Sequence, residues 1–203
     1  MPSALILIAD GTEEMEFTIT YDTFIRAGIA CESAFVPEIT DDNLATSASP
    51  PAAKGSRGVR ILPDLYFESS ICGPDKYDAL IIPGGAKGAD TISQSKEVQV
   101  LVRKYLDEKK YVGMVCAGSL AALRSGLNRQ PLTSHPGVKD QLVADFDYSE
   151  EPVVVSGNLV TSIDYYNKGT TFPFALTFVE LLCGANKRKE VSAPMVFPPG
   201  TPW

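Results

Sequence analysis

The feature that most constrains this chain is a recurring pair of patterns. Short runs of consecutive apolar residues are each followed by a longer stretch with apolar residues at helical spacing. Residues 5–9, Leu-Ile-Leu-Ile-Ala, are apolar throughout, the pattern of a strand covered on both faces. Asp10-Gly11-Thr12 then turns the chain, and residues 13–27 read as a helix whose apolar positions include Met15, Phe17, Ile19, Phe24 and Ile25. Residues 31–36 read as a second strand, and 58–62 as a short edge strand. Residues 79–82 form a strand that ends in the turn Pro83-Gly84-Gly85, and 96–109 form a helix. Residues 112–115 are a buried strand leading into a helix over 117–123, and 136–143 a short helix. Residues 153–155 and 159–162 pair as a hairpin around Ser156-Gly157-Asn158, and 171–183 make a last long helix. Such β-α alternation predicts an α/β fold: an open, mostly parallel sheet between two helix layers, with the hairpin as an antiparallel addition.

The length of 203 residues suits one domain, 1–203. Residues 37–57 are rich in Ser, Pro, Ala and Gly. They read as an exposed excursion and not as a linker, because too little chain precedes them to build a separate core. A hydrophobic fraction of 44% supports an ordinary core, while a net charge of -7 disfavours nucleic acid and anionic membrane surfaces as partners. The N-terminal apolar run has no basic stretch before it, no small-residue cleavage site after it, and is too short to span a bilayer. The expected compartment is therefore the cytoplasm, or the nucleus. Cys31, Cys72, Cys116 and Cys183 show no close pairing and read as free thiols. No metal site is expected, since His135 is the only imidazole and no thiolate cluster has finger-like spacing.

In open sheets of this kind ligands bind beyond the carboxyl ends of the strands. Three segments end strands there with residues that structure alone does not require. The first centres on Cys116, between a buried strand and a helix start, where a nucleophile can sit on a strained turn with Gly118 giving it room. A helix N-terminus lowers a thiol pKa from its reference of ~8.5, so a thiolate is expected here; the alternative is a buried structural cysteine. In the second segment, Pro83-Gly84-Gly85 offers backbone N–H groups that converge on an anion, or is a plain tight turn. It matches neither a phosphate loop nor a dinucleotide fingerprint. The third segment carries Glu13, Glu14 and Glu16. Glu13 and Glu14 read as solvated helix-start charge, whereas Glu16 faces the strand ends, where a buried carboxyl beside a thiol carries a proton. His135 stands where a connection ends and a short helix begins, a place for a pocket wall or an acid/base group.

Together these segments resemble the ThiJ/PfpI superfamily, in the branch of the Parkinsonism-associated deglycase. The stretches that carry the resemblance are Ala9-Asp10-Gly11-Thr12-Glu13-Glu14-Met15-Glu16, Ile82-Pro83-Gly84-Gly85, Val115-Cys116-Ala117-Gly118, Thr133-Ser134-His135-Pro136 and Gly169-Thr170-Thr171-Phe172. The resemblance implies a flavodoxin-like three-layer sandwich and a homodimer. It implies Cys116 as nucleophile, Glu16 as its protonated partner and the N–H groups of Gly85 and Ala117 as the oxyanion site. His135 would line the pocket, and Pro194 would come from the partner subunit. The implied activity is a lyase reaction, a glutathione-independent glyoxalase converting methylglyoxal and related 2-oxoaldehydes to 2-hydroxy acids, with no cofactor. The alternative is a redox sensor or chaperone that works through oxidation of the same cysteine. Two departures stand out. Where relatives have a compact Ser-Arg/Gln-Gly-Pro-Gly-Thr turn, this chain has a longer, aromatic stretch over 163–168, expected either to enlarge or roof the pocket or to be an exposed excursion without a role. Ala117 follows the cysteine where the peptidase branch has His, which argues against proteolysis.

Overall fold

The computed structural model describes residues 1–38, 51–164, 169–198 and 201. Strand β1 (Ser3–Ile8) leads to helix α1 (Glu14–Arg26) and β2 (Ala30–Phe35). A short ribbon, β3 (Ala53–Lys54) and β4 (Arg60–Ile61), precedes β5 (Leu65–Tyr66) and β6 (Ala79–Ile82). Helices α2 (Ala86–Gln94) and α3 (Lys96–Asp107) connect to β7 (Tyr111–Val115), and a tight turn, Cys116–Ser119, leads into α4 (Leu120–Arg124). Then come β8 (Pro131–Leu132), α5 (Lys139–Leu142), β9 (Asp147–Tyr148), the hairpin β10 (Val153–Ser156) and β11 (Leu159–Ser162), and helices α6 (Thr171–Cys183) and α7 (Ala185–Ser192).

The main sheet runs β10-β11-β7-β6-β1-β2-β5, parallel throughout except for the β10–β11 hairpin at one edge. The apolar run of the first strand divides between the two faces, as its period of two requires. Leu5 and Leu7 pack with Ile92, Leu101 and Tyr105 of α2 and α3, while Ala4, Ile6 and Ile8 pack with Phe24, Phe174 and Phe178 of α1 and α6. These two apolar layers make the expected three-layer sandwich. From β1 the chain builds outward to β2 and β5, then crosses to β6 on the other side, so the strand order reverses between β1 and β6. The loops leaving β1, β6 and β7 meet at that reversal.

Three expectations change. The edge strand expected at 58–62 is instead the ribbon strand β4, paired antiparallel with β3, and the edge of the main sheet is Leu65–Tyr66. The Asp64 carboxylate decides this, accepting from the backbone N–H and hydroxyl of Ser33, each at 2.7 Å, and thereby docking the following residues on β2. Helix α2 was not expected, because its apolar signal reduces to Ala89 and Ile92 behind a glycine-rich turn. The helix expected over 117–123 begins instead as the 3-10 turn Cys116–Ser119. Among the described residues no helix is long and apolar enough to cross a membrane, and no three His, Cys, Asp or Glu side chains form a metal-binding group.

Candidate functional site

Cys116 follows directly on β7 and adopts φ 60°, one of two non-glycine residues with positive φ among those described. That conformation costs about 1–3 kcal/mol unless the surroundings impose it. Here they do. The backbone must leave the sheet and close a 3-10 turn at once, and Gly118 lies so close to β6 that a Cβ there would come 2.4 Å from the Ile82 carbonyl oxygen. The Cys116 carbonyl accepts from the His135 N–H at 3.1 Å, which fixes the turn from its other side.

Glu16 comes from the first turn of α1. The Glu13 carboxylate caps that helix, accepting from the N–H groups of Met15 at 2.8 Å and Glu16 at 2.9 Å. The Glu16 side chain points inward, with the residue only 2% exposed. One of its carboxyl oxygens accepts from the Gly84 N–H, and the group hydrogen-bonds the Cys116 sulfur. Gly84 must lack a side chain, because a Cβ would stand 2.7 Å from Cys116 Cβ and 2.8 Å from Glu16 Oε2.

Burial, followed by the charge of Asp164, holds the Glu16 proton well above the usual carboxylate range, and its bonds to Gly84 and Cys116 only partly oppose this. The depressed thiol pKa expected at a helix start does not follow. Burial pushes the Cys116 thiol up, the neighbouring Glu16 pushes it further, and the Ala117 N–H is the main opposing influence. The turn and the five-residue α4 supply little dipole against that burial. Each group's charge disfavours the charge of the other, so the pair titrates as a unit.

These groups line a cavity of 1040 Å³ whose wall includes Glu16, Gly85, Cys116, Ala117, His135 and Asp164. Gly85, at φ 84°, opens α2 with no side-chain cap. The His135 Nδ1 accepts from the Gly137 N–H at 2.9 Å. Pro194 is exposed and is not part of this wall. The other cysteines sit elsewhere: Cys31 and Cys72 are buried in the two apolar layers, and Cys183 ends α6. Of the 163–168 stretch, Tyr165, Tyr166, Asn167 and Lys168 lie outside the described residues, as does most of the 37–54 stretch.

Two acids do more than the sequence suggested. Glu14 is not solvated but 6% exposed, and it accepts from the Arg57 N–H at 2.6 Å, the Val59 N–H at 3.3 Å and the Ser56 hydroxyl at 2.9 Å. Burial pushes its pKa up, but these bonds and its own backbone N–H outweigh burial and leave it lowered. Asp164 is held on the cavity wall. Its backbone N–H donates to the Thr170 hydroxyl at 2.8 Å, and its carboxylate accepts from the Thr171 hydroxyl at 2.9 Å. Nothing local in the sequence signals either role, since both acids depend on partners brought from other elements.

A cysteine on a strained turn, paired with a buried carboxyl at the strand-order reversal of a parallel sheet, defines a class: α/β proteins whose candidate site lies beyond the carboxyl ends of the strands. The model of the DJ-1/PfpI family matches residues 2–181. The "Parkinson disease protein 7 homolog" of Danio rerio is 37% identical over 197 residues, covering 95% of this chain and 96% of that protein. The "Glutathione-independent glyoxalase DJ-1" of Schizosaccharomyces pombe is 34% identical over 203 residues, covering 98% and 100%. The crystal structure of Drosophila melanogaster DJ-1beta superposes with a TM-score of 0.84 at 34% identity, covering 97% of this chain and 98% of that one. The chain belongs to the DJ-1/PfpI family.

Proposed function

We propose that this protein is a glutathione-independent glyoxalase that converts methylglyoxal and related 2-oxoaldehydes to 2-hydroxy acids. The observation that carries the reading is the pairing of Glu16, buried and proton-bearing, with the sulfur of Cys116. The relative from Schizosaccharomyces pombe, named for that activity and aligned along nearly the whole chain, supports it.

In this reading the Cys116 sulfur adds to the aldehyde carbon while Glu16 gives its proton to the aldehyde oxygen, forming a hemithioacetal. The N–H groups of Gly85 and Ala117 hold that oxygen as charge develops on it. Glu16, now a carboxylate, takes the proton from the former aldehyde carbon, and an ene-diolate forms with its charge on the former ketone oxygen. The same proton returns to the neighbouring carbon while the proton on the former aldehyde oxygen passes to the former ketone oxygen, giving a 2-hydroxy thioester on Cys116. Water cleaves the thioester, releasing the 2-hydroxy acid and restoring the thiol. His135 serves as a donor to the substrate ketone from the wall. The balance is one 2-oxoaldehyde plus one water to one 2-hydroxy acid, with no cofactor. A homodimer belongs to the same proposal. Met15, Val59 and Leu62 are 65%, 55% and 75% exposed where α1 and the β3–β4 ribbon adjoin, an apolar face for a second copy that would bring its Pro194 toward the cavity.

The test is lactate formation from methylglyoxal without added thiol. Lactate is expected from the wild type and not from Cys116→Ala, and a fall of about 10²-fold or more is expected in Glu16→Gln. Full activity in Cys116→Ala would overturn the assignment.

A further inference from the structure

A second cavity, of 430 Å³, opens beside the first and shares Ser56, Arg57, Ala86 and Lys87 with it. In a chain of net charge -7, its remaining wall is formed by Asp10, Gly11, Lys54 and Gly55, so three cations face one carboxylate. That carboxylate is engaged by its own loop, with Asp10 Oδ1 accepting from the Lys54 N–H at 2.9 Å. Lys87 pairs with Glu38 at 2.9 Å, whereas neither Lys54 nor Arg57 forms an ion pair among the described residues. The Arg57 guanidinium has one long backbone contact, to the Ser56 carbonyl at 3.4 Å.

Arg57 is not a loose surface residue at its root. The buried Glu14 carboxylate grips the backbone on both sides of it, and a side chain on Gly55 would stand 2.5 Å from that carboxylate. The Ser56 N–H donates to the Thr12 carbonyl at 2.8 Å and the Gly11 N–H to the Lys54 carbonyl at 2.7 Å, so the turn is bolted to the loop leaving β1. The guanidinium is thereby offered at the junction of the two cavities. Lys54 and Arg57 lie in the β3–β4 ribbon and Lys87 on α2, whereas Asp164 follows β11, on the far side of β7. Glu13 and Asp90 also line the main cavity, and Asp90 is paired with Arg124 at 2.9 Å.

We propose that the second cavity is an anion subsite, with Arg57 as its principal residue and Lys54 and Lys87 around it, selecting carbonyl substrates that carry a carboxylate or phosphate away from the reacting aldehyde. The proposal rests on the glyoxalase reading for its substrate but not for its anion specificity. The main cavity exceeds what a three-carbon oxoaldehyde fills, and a guanidinium presents the forked donors that suit either acid. The tail lies toward Arg57, away from Asp164, and this orients the aldehyde on the sulfur.

Two arms test it. In the first, a 2-oxoaldehyde with a carboxylate two methylenes from the ketone is compared with its neutral isostere, which has isopropyl in place of the carboxylate. A third substrate with phosphate at that end separates the two acids. The ratio of kcat/KM, anionic over neutral, is expected to exceed one in the wild type and to fall by about fivefold in Arg57→Ala, the size expected of one partly exposed charge pair. Arg57→Lys should restore part of it, and added salt should compress it. In the second arm no turnover is needed. Cys116 is alkylated with a maleimide bearing a propionate tail and with its neutral methylamide, and the ratio of the two rates is expected to fall in Arg57→Ala by a similar factor. If the protein makes no lactate but the alkylation ratio falls, the subsite stands and the glyoxalase reading fails. If neither ratio differs between wild type and Arg57→Ala, the subsite is refuted.

Discussion

Gly84→Ala tests the site with a single methyl group. The backbone of Gly84 lies outside the left-handed region, so alanine can adopt its conformation; the objection is purely one of space. The added carbon would meet Cys116 Cβ at 2.7 Å, Glu16 Oε2 at 2.8 Å and Cys116 Sγ at 3.0 Å, against ordinary van der Waals separations of about 3.5–4.0 Å. Each partner must therefore retreat by roughly 0.5–1 Å, and the two retreat in different directions because the methyl enters between them. Both belong to rigid elements, the elbow after β7 and the first turn of α1. Overpacking of this kind costs about 1–3 kcal/mol. At about 2–4 °C per kcal/mol for a chain of this size, Tm should drop by roughly 2–12 °C. On the proposed mechanism, separating Glu16 from Cys116 by about 1 Å should lower kcat/KM for methylglyoxal by about 10²-fold. The assay pairs lactate formation with thermal unfolding, with circular dichroism to establish folding at the assay temperature. A folded variant with wild-type kcat/KM would refute the claim that contact between Glu16 and Cys116 carries the reaction.

Other outcomes follow from the same geometry. Because the folded pKa of Glu16 is raised, the folded state binds its proton more tightly, so this group's contribution to stability is full below the unfolded value and is lost as pH rises toward the folded one. Glu16→Gln cannot ionise, so its Tm relative to wild type should climb as pH rises above the ordinary carboxylate range, and a flat difference would contradict the buried assignment. Asp164→Asn removes the charge that, after burial, does most to raise Glu16, so the pH profile of Cys116 alkylation should shift toward acid; a shift toward base would exclude Asp164 from the site. Cys31 and Cys72 are buried, so mild peroxide should add mass to Cys116 before either of them, and oxidation of all four cysteines at equal rates would deny the elbow any special reactivity. A second copy on the face of Met15, Val59 and Leu62 should be lost on Val59→Glu with Leu62→Glu, read by sedimentation; an unaltered dimer would place the interface elsewhere.

Much of this was legible in the sequence because local pattern dictates it. Continuous apolar runs specify strands covered on both faces, and such strands need helices on both sides, so the three-layer class follows before any contact is known. The strand ends at Asp10, Pro83 and Val115 were readable for the same reason, and with them the grouping of Glu16, Gly84 and Cys116, since parallel strands deliver their carboxyl ends to one edge. What sequence could not supply was environment. The helix start at Cys116 suggested a low thiol pKa, but burial and the adjacent carboxyl, which come from the packing of α1 against the elbow, push it up. Glu14 looked like one more solvated charge at a helix start, yet it is buried because the ribbon, more than forty residues later, folds over it and donates three hydrogen bonds to it. Charge, burial and hydrogen bonding depend on which distant residues arrive, and only the tertiary structure decides that.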